Sequence, residues 1–469
     1  MTEAAIARSR WLAVLLLAVV VSRIPFLLTC YSTDPDGWRV AHAGRIFWET
    51  GVYSVSRFPG YPVYEIVGGL AALAGGAFLS NATTLAVSLV LIIIWYGFVE
   101  EHTSSPRLLT LLLAFTPLFW IQSAATMDYV WSLLFILLAF SAAQQQRAVL
   151  AGLWLGIAIG CRPPNGVAVV PVFMLLSLQS PSKRTLAVFA LALCGSALIA
   201  FSPVLVTYGP VGWIRQTLDQ TSDAHLTLVQ RIPSFLYRST YSLGPLAALA
   251  LGTVLYLERR KVLALYRTRD PIIIGSLAGV LSFAVLFAMF PLDKSYLIPA
   301  FPFLFLVVER VVSRRALVAV AWCVVSFGFI NPDMIRHAKP VGTPELNLHT
   351  GLVIEEWTMR TRLVNERETI GKLPIKGKAV IMLGISELYL LENSAVVPDT
   401  VNHWADPNDY TAHSVSNPDI YFVSSLRLAT IRTLQGEGYG LYYLDWARGL
   451  LQRWNGYDPV EEGVTPITL

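Results

Sequence analysis

The sequence predicts a polytopic α-helical membrane protein that ends in a smaller α/β domain. Three observations predict it. Hydrophobic residues make up 55% of the chain and charged ones only 14%, against roughly 25% charged residues in soluble domains; the mean hydropathy is +0.56. The apolar residues come in long runs, "WLAVLLLAVVV", "LAVSLVLIII" and "LVAVAWCVVSFGFI" among them, and runs near 20 residues match the hydrocarbon core when helical. From about residue 331 onward no further run could span.

The first run follows Arg8 and Arg10, as a signal peptide would, but no small-x-small cleavage site comes after it. Arg23 and Pro25 interrupt it and the apolar character resumes, so it reads as a retained span. Further candidate spans lie at 61–79, 82–99, 107–124, 127–143, 147–161, 164–178, 185–208, 243–257, 271–290, 296–312 and 316–330, after a first at 11–29. Two long polar loops separate them, 30–60 and 209–242. Residues 1–330 therefore form a membrane domain and 331–469 a small α/β domain. In the latter "KAVIML", "SAVVPD" and "DIYFVSS" read as short strands, and "SLRLATIRTLQ" and "YLDWARGLLQRW" as amphipathic helices. No internal repeat is visible. The cysteines Cys30, Cys161, Cys194 and Cys323 lie in or beside apolar runs without metal-like spacing and read as packing residues. A net charge of +4 is too small to point to nucleic acid.

Sidedness follows from Lys and Arg in short connections. Arg147, "SKR" at 182–184, "ERRKVLALYRTRD" at 258–270 and "SRR" at 313–315 can all be cytoplasmic, since an even number of spans separates each from the next. That puts loop 209–242, "PLDKS" at 291–295 and the tail outside; Arg8 and Arg10 put loop 30–60 outside too. A dozen full crossings would return the tail to the starting side. The segment 61–79, with a polar start and Gly68, Gly69, Gly75 and Gly76 inside, is the one expected not to cross. The expectation is roughly eleven crossings, with thirteen as the fallback.

The ionisable residues converge on that outer face. Asp34, Asp36, Arg39, Arg45, Glu49, Arg57 and Glu65 belong to the first loop, Asp128 opens a span, Arg162 closes one, and Asp293, Lys294 and Tyr296 flank another. Charges at a membrane are costly and tend to be functional. Each also has a plainer reading. Asp36 could cap the helix beginning "GWRVAHAGRIF", Asp34 could shape the turn before Pro35, and Asp128 could cap its own span. Arg162 and Lys294 could snorkel, and His42 could be an ordinary loop histidine. "NAT" at 81–83 matches a glycosylation acceptor but lies in too short a connection to count. The chemistry suggested is a carboxylate base working beside cations. A base deprotonates an incoming hydroxyl, while Arg and Lys stabilise a departing phosphate. Asp36 with Arg57, Arg162, Lys294 and Tyr296 would supply those parts, with Tyr61, Tyr64, Glu65 and His42 lining the substrate cavity.

Four motifs, in order, resemble the GT-C superfamily of membrane glycosyltransferases, closest to its protein O-mannosyltransferase and aminoarabinose transferase group. They are "DGWRVAHAGRIFWETGVY", "RFPGYPVYE", "TMDYVW" and "SYLIPAFPFLFL", spread over residues 10 to about 312. The resemblance implies a GT-C fold and transfer of a sugar from a polyprenyl-phosphate donor on the extracytoplasmic side, with inversion. It implies Asp36 as base, Asp128 as the second acidic position and Arg57 as the phosphate-facing cation. Gly37 stands where the family usually has Glu, which leaves Asp34 as a second carboxylate, and Arg57 is displaced by one residue from the family's His or Lys.

The expected activity is therefore hexosyl or pentosyl transfer to a protein, glycolipid or cell-wall glycan, in a bacterial inner membrane. The active site and the C-terminal domain would be extracytoplasmic. No cofactor is expected beyond the lipid-linked donor; a divalent metal has no ligand cluster to support it. The alternatives are a secondary transporter, whose sites would lie near the midplane on broken helices, and a non-catalytic GT-C-like assembly subunit.

Overall fold

The computed structural model describes residues 3–223, 227–265, 267, 269–333, 347–371, 375, 377–384, 394–396, 412–414 and 417–468. The chain forms two units, one of Met1–Tyr31 and Arg39–Thr358, the other of Ser32–Trp38 and Met359–Leu469. The first unit extends past residue 330 because a short antiparallel strand pair, β1 (Ile330–Asp333) and β2 (Asn347–Thr350), belongs to it.

Helices occupy the apolar runs of the first unit, and they merge or break differently from the runs. Runs 61–79 and 82–99 form one helix, Pro62–His102, kinked at Gly75 and Gly76. Residues 62–74 span about 20 Å at 1.5 Å per residue and residues 77–102 about 39 Å; only the second stretch exceeds the roughly 30 Å hydrocarbon core. The run 185–208 continues beyond its expected end as Lys183–Asp223, broken at Gly209. Loop 209–242 is thus mostly helical: Asp223 ends one helix and the amphipathic Leu228–Leu243, with Thr227 and Gln230 as a capping box, begins another. The helix resumes directly past the Gly209–Pro210 break that had suggested a loop.

Among the described residues four helices are long and apolar enough to cross a membrane: Arg8–Leu27, Pro62–His102, Lys183–Asp219 and Pro271–Met289. A fifth is reached if the pair Val229–Leu243 and Pro245–Leu257, bent by 94°, counts as one. The remaining runs form shorter apolar helices, such as Tyr129–Gln144 and Ala148–Cys161, so by length alone the expected eleven to thirteen crossings are not reached. Outward faces are apolar: Leu191, Ile199 and Val206 are 74%, 77% and 85% exposed. Apolar surface on that scale belongs in lipid, and the chain is a membrane protein.

The first helix is tied to the body by Arg23, which is fully buried. Its Nε donates to Ser123 Oγ at 3.2 Å, its Nη1 to Ser22 Oγ at 2.7 Å and its Nη2 to the Ala114 carbonyl. The guanidinium also lies 4.4 Å from the Trp120 ring centroid. Asn81 is equally interior, donating to the Cys30 carbonyl at 3.0 Å and accepting from Thr126 Oγ1 at 2.9 Å.

The centre of this unit is the helical hairpin Tyr129–Gln144 and Ala148–Cys161. Its second arm lies against Lys183–Asp223 along Gly152, Gly156 and Gly160, spaced by four. A Cβ on Gly152 would meet the Phe189 carbonyl at 2.5 Å, and one on Gly156 the Ala197 nitrogen at 2.8 Å. Small residues of this kind let helix backbones approach where no hydrophobic effect drives them together.

The second unit carries a six-stranded sheet ordered β4-β5-β6-β3-β7-β8. The strands are β3 (Ala379–Met382), β4 (Ser394–Val396), β5 (Ala412–Ser414), β6 (Ile420–Val423), β7 (Gly440–Leu444) and β8 (Thr465–Ile467). β3 is parallel to β6 and β7, and β7 to β8. All four residues of β3 are buried, as a central parallel strand covered on both faces requires. Helices Leu428–Gly436 and Arg448–Asn455 cross over between strands, with Ile431, Leu434 and Leu451 in the core.

Gly156→Leu should push the hairpin off its neighbour. The expected cost is about 1–3 kcal/mol from overpacking, read as a lower melting temperature of the detergent-solubilised protein, with Gly97→Leu, which faces open space, as the tolerated control.

Candidate active site

The polar stretch 53–65 is shaped around Glu65, buried in the first turn of Pro62–His102. Its Oε1 accepts from the Ser56 nitrogen at 2.7 Å and the Ser56 hydroxyl at 2.5 Å. Its Oε2 accepts from the Tyr61 nitrogen at 3.1 Å and from the Tyr53 hydroxyl. Burial first, and then the Glu65 charge and hydrogen bond, raise the Tyr53 hydroxyl above its ordinary range and keep it protonated. Glu65 is thus an organiser of the loop, and not the cavity-lining carboxylate the sequence suggested.

The loop turns at residues 57–60, where the Gly60 nitrogen donates to the Arg57 carbonyl at 2.8 Å. The Phe58–Pro59 peptide is cis, and Gly60 has φ +93°, a left-handed conformation that favours glycine. Trp213 Nε1 holds the Pro59 carbonyl at 2.7 Å, and Phe58 packs edge-on to Tyr208 with centroids 5.2 Å apart. The turn sets Arg57 against the hairpin.

There Asp128, wholly buried, accepts from Arg57 Nη2 at 3.0 Å on Oδ2 and from Arg162 Nη1 at 2.7 Å on Oδ1. Asp128 directly precedes Tyr129–Gln144, and Arg162 directly follows Ala148–Cys161, so the antiparallel arms bring the two to one level. Asp128 does not cap its helix through its side chain; both oxygens are taken by guanidiniums. Arg162 is extended, as a residue before proline prefers, with φ −154° and ψ 97°. Asn165 fastens its turn, donating to Ser132 Oγ at 2.8 Å.

Three tyrosines surround the guanidiniums. Arg57 lies 3.8 Å from the Tyr61 centroid; Arg162 lies 3.8 Å from Tyr129 and 4.7 Å from Tyr296. Such contacts attract a cation to the ring face, more so when desolvated. The Tyr129 hydroxyl donates to Asp293 Oδ2 at 2.6 Å, and Asp293 Oδ1 caps the short turn Lys294–Leu297 by accepting from the Ser295 nitrogen at 3.0 Å. Burial raises the Tyr296 hydroxyl to about 12.

The structure therefore brings together Arg57, Tyr61, Asp128, Arg162 and Tyr296. Lys294 is half-buried at the start of its turn. Tyr64 is fully buried edge-on to Trp131, 5.4 Å between centroids. His42 sits mid-helix in Pro35–Thr50; burial, and then the Arg45 charge, lower its imidazole below the ordinary range. Asp34 and Asp36 belong to the second unit. The helix starts at Pro35, and the cap is Asp34: its Oδ1 accepts from the Asp36 nitrogen at 3.0 Å. Asp36 thus occupies the first turn and is not the cap. The sequence reading missed Tyr129 and Tyr53. Tyr129 had a signal, an aromatic directly after the acidic residue in "TMDYVW"; Tyr53 had none.

Two outcomes follow. Glu65→Ala leaves the buried donors of Tyr53, Ser56 and Tyr61 without an acceptor, at about 1–3 kcal/mol each; the melting temperature should fall, with faster proteolysis at the 53–60 loop. His42 binds its proton less readily folded than unfolded, so stability is lost as pH falls below about 6.5. The decline in melting temperature as pH falls below about 6.5 should be smaller for His42→Gln than for the parent protein.

No protein-family model matches this chain, nor does any curated protein. A solved structure to which it is similar is the crystal structure of ArnT from Cupriavidus metallidurans bound to undecaprenyl phosphate. The two share 16% identity at a TM-score of 0.47, covering 66% of this chain and 62% of that one. The chain thus spans less than two thirds of that relative's length. At this identity and score it is a resemblance and nothing more, and a functional reading has to rest on the charged cluster itself.

Proposed function

We propose that the chain is an integral-membrane glycosyltransferase, moving a monosaccharide from a polyprenyl-phosphate donor to an acceptor hydroxyl on the extracytoplasmic face of a bacterial inner membrane. The observation that carries this reading is the pair of guanidiniums, half-buried Arg57 on the 57–60 turn and buried Arg162 at the end of an apolar helix, both fixed by the carboxylate of Asp128. Asp128 takes a single nitrogen from Arg162, and a guanidinium has five N–H donors in a planar fork suited to phosphate oxygens. The tyrosine rings and the apolar helices keep water from competing. Charge at helix ends, and not at mid-helix, favours a reaction at the membrane surface over carriage through the midplane.

In this reading the donor is a phosphodiester. As the bond from the anomeric carbon to the phosphate oxygen breaks, negative charge grows on the departing polyprenyl phosphate, and Arg57 and Arg162 stabilise it where it develops. Asp36 takes the proton of the acceptor hydroxyl, whose oxygen forms the new bond to the anomeric carbon with inversion. Asp128 positions the two guanidiniums and does not act as base, and Asp34 shapes the first turn that carries Asp36. The acceptor is a protein, glycolipid or cell-wall hydroxyl. No metal is assigned a role.

The test is transfer of radiolabelled sugar from a set of polyprenyl-phosphate sugars in proteoliposomes. Asp36→Asn should lower the rate by about 10²–10⁴-fold, the range of general-base catalysis, with the melting temperature unchanged. Arg162→Gln should weaken donor use and Arg162→Lys restore part of it. Transfer should survive dialysis against EDTA, and an alkaline phosphatase fused after residue 469 should be active. Full activity of Asp36→Asn and of Arg162→Gln would overturn the assignment.

A further inference from the structure

The hairpin that carries Asp128 and Arg162 at one end borders a cavity of about 500 Å³ at the other, a volume within the range of small-molecule sites. The 16-residue arm Tyr129–Gln144 separates the two by about 24 Å at 1.5 Å per residue, close to the thickness of a hydrocarbon core. The cavity is therefore at the far end of the hairpin from the charged cluster.

Its lining is two-sided. Ile93, Leu150 and Trp154 form an apolar wall, and Ile93 and Leu150 are 42% and 37% exposed, so the wall opens sideways from the helices. At the helix ends the lining becomes polar, with Glu101, Gln145 and Arg147. Glu101 and Arg147 are both exposed, and among the described residues neither is held in an ion pair. A fixed hydrogen-bond relay backs this rim. His102 Nδ1 lies 2.8 Å from the Phe98 carbonyl and so carries the proton, which leaves Nε2 to accept from Gln144 Nε2 at 3.4 Å; Gln179 donates to Gln144 Oε1. The histidine ring stacks on Phe98, 4.6 Å between centroids.

An apolar wall below a rim with one acid and one base matches an amphiphile whose headgroup carries one charge of each sign. We propose that this cavity holds a zwitterionic phospholipid with a primary ammonium, of the phosphatidylethanolamine class. The phosphate faces Arg147, the ammonium donates to Glu101 and the Gln145 amide oxygen, and an acyl chain lies along Ile93, Leu150 and Trp154. Glu101 disfavours an anionic headgroup, and a quaternary ammonium has no N–H to donate. The site is independent of the sugar-transfer reading, since none of its residues belongs to the charged cluster.

Native mass spectrometry of the full chain tests this, with phosphatidylethanolamine, phosphatidylcholine and phosphatidylglycerol of identical acyl chains and with soluble O-phosphoethanolamine. Phosphatidylethanolamine should be retained about threefold over the other two lipids, the value of one exposed ion pair, and the soluble headgroup should not be retained. Glu101→Gln should bring phosphatidylethanolamine down to the phosphatidylcholine level, Glu101→Asp should keep the preference, and Arg147→Gln should weaken all three lipids. Equal retention of the lipids by the parent protein, or an undiminished preference in Glu101→Gln of unchanged melting temperature, would overturn the proposal. Retention of O-phosphoethanolamine as strong as that of the lipid would also overturn it, in favour of a soluble ligand.

Discussion

Charges enclosed by apolar helices have little water to satisfy them, so they must satisfy one another. In the first unit that constraint falls on Asp128, whose two oxygens are divided between Arg57 and Arg162. Removing one member of a buried ion pair costs about 3–5 kcal/mol, and here one carboxylate serves two cations from distant parts of the chain. Much of the surrounding structure can be understood as what makes this sharing geometrically feasible. The glycine stripe fixes how closely the hairpin lies on Lys183–Asp223, Asn165 fixes the turn that carries Arg162, and Glu65 fixes the loop that carries Arg57.

The aromatic residues serve the same end by another route. Tyr61, Tyr129 and Tyr296 offer ring faces to the guanidiniums, while their hydroxyls remain polar handles at the edge of the cluster. Tyr129 does both at once, lying under Arg162 and donating to Asp293. This couples the hairpin to the short turn before the late helix Ala300–Val311, and the segment "SYLIPAFPFLFL" enters the charged cluster through it.

How much of this was legible beforehand differs between fold and site. The apolar runs were sufficient for the class, because burial in lipid is a property of composition and length. Arg57 in the first loop, Asp128 opening a run and Arg162 closing one were expected at one face, and they meet. Their pairing was not expected, since a one-dimensional pattern cannot tell a base from a counter-ion. The cap was expected at Asp36 and lies at Asp34, although an acidic residue followed by proline marks the residue before a helix, with proline in its first position. Glu65 was expected to line the substrate cavity and instead organises the loop, because its partners meet it only once the loop has closed. The helix past Gly209 was hidden by a glycine–proline pair, which does break the helix but is followed directly by a second helical stretch.

Trp213, which holds the Pro59 carbonyl, lies beyond the break at Gly209, where φ is +66°. The part of Lys183–Asp223 that anchors the Arg57 turn is therefore not collinear with the part that packs on the hairpin. The turn that carries Arg57 is held from both sides of that break, by Tyr208 before it and Trp213 after it, so a change in the bend at Gly209 would be felt at an arginine more than 140 residues upstream.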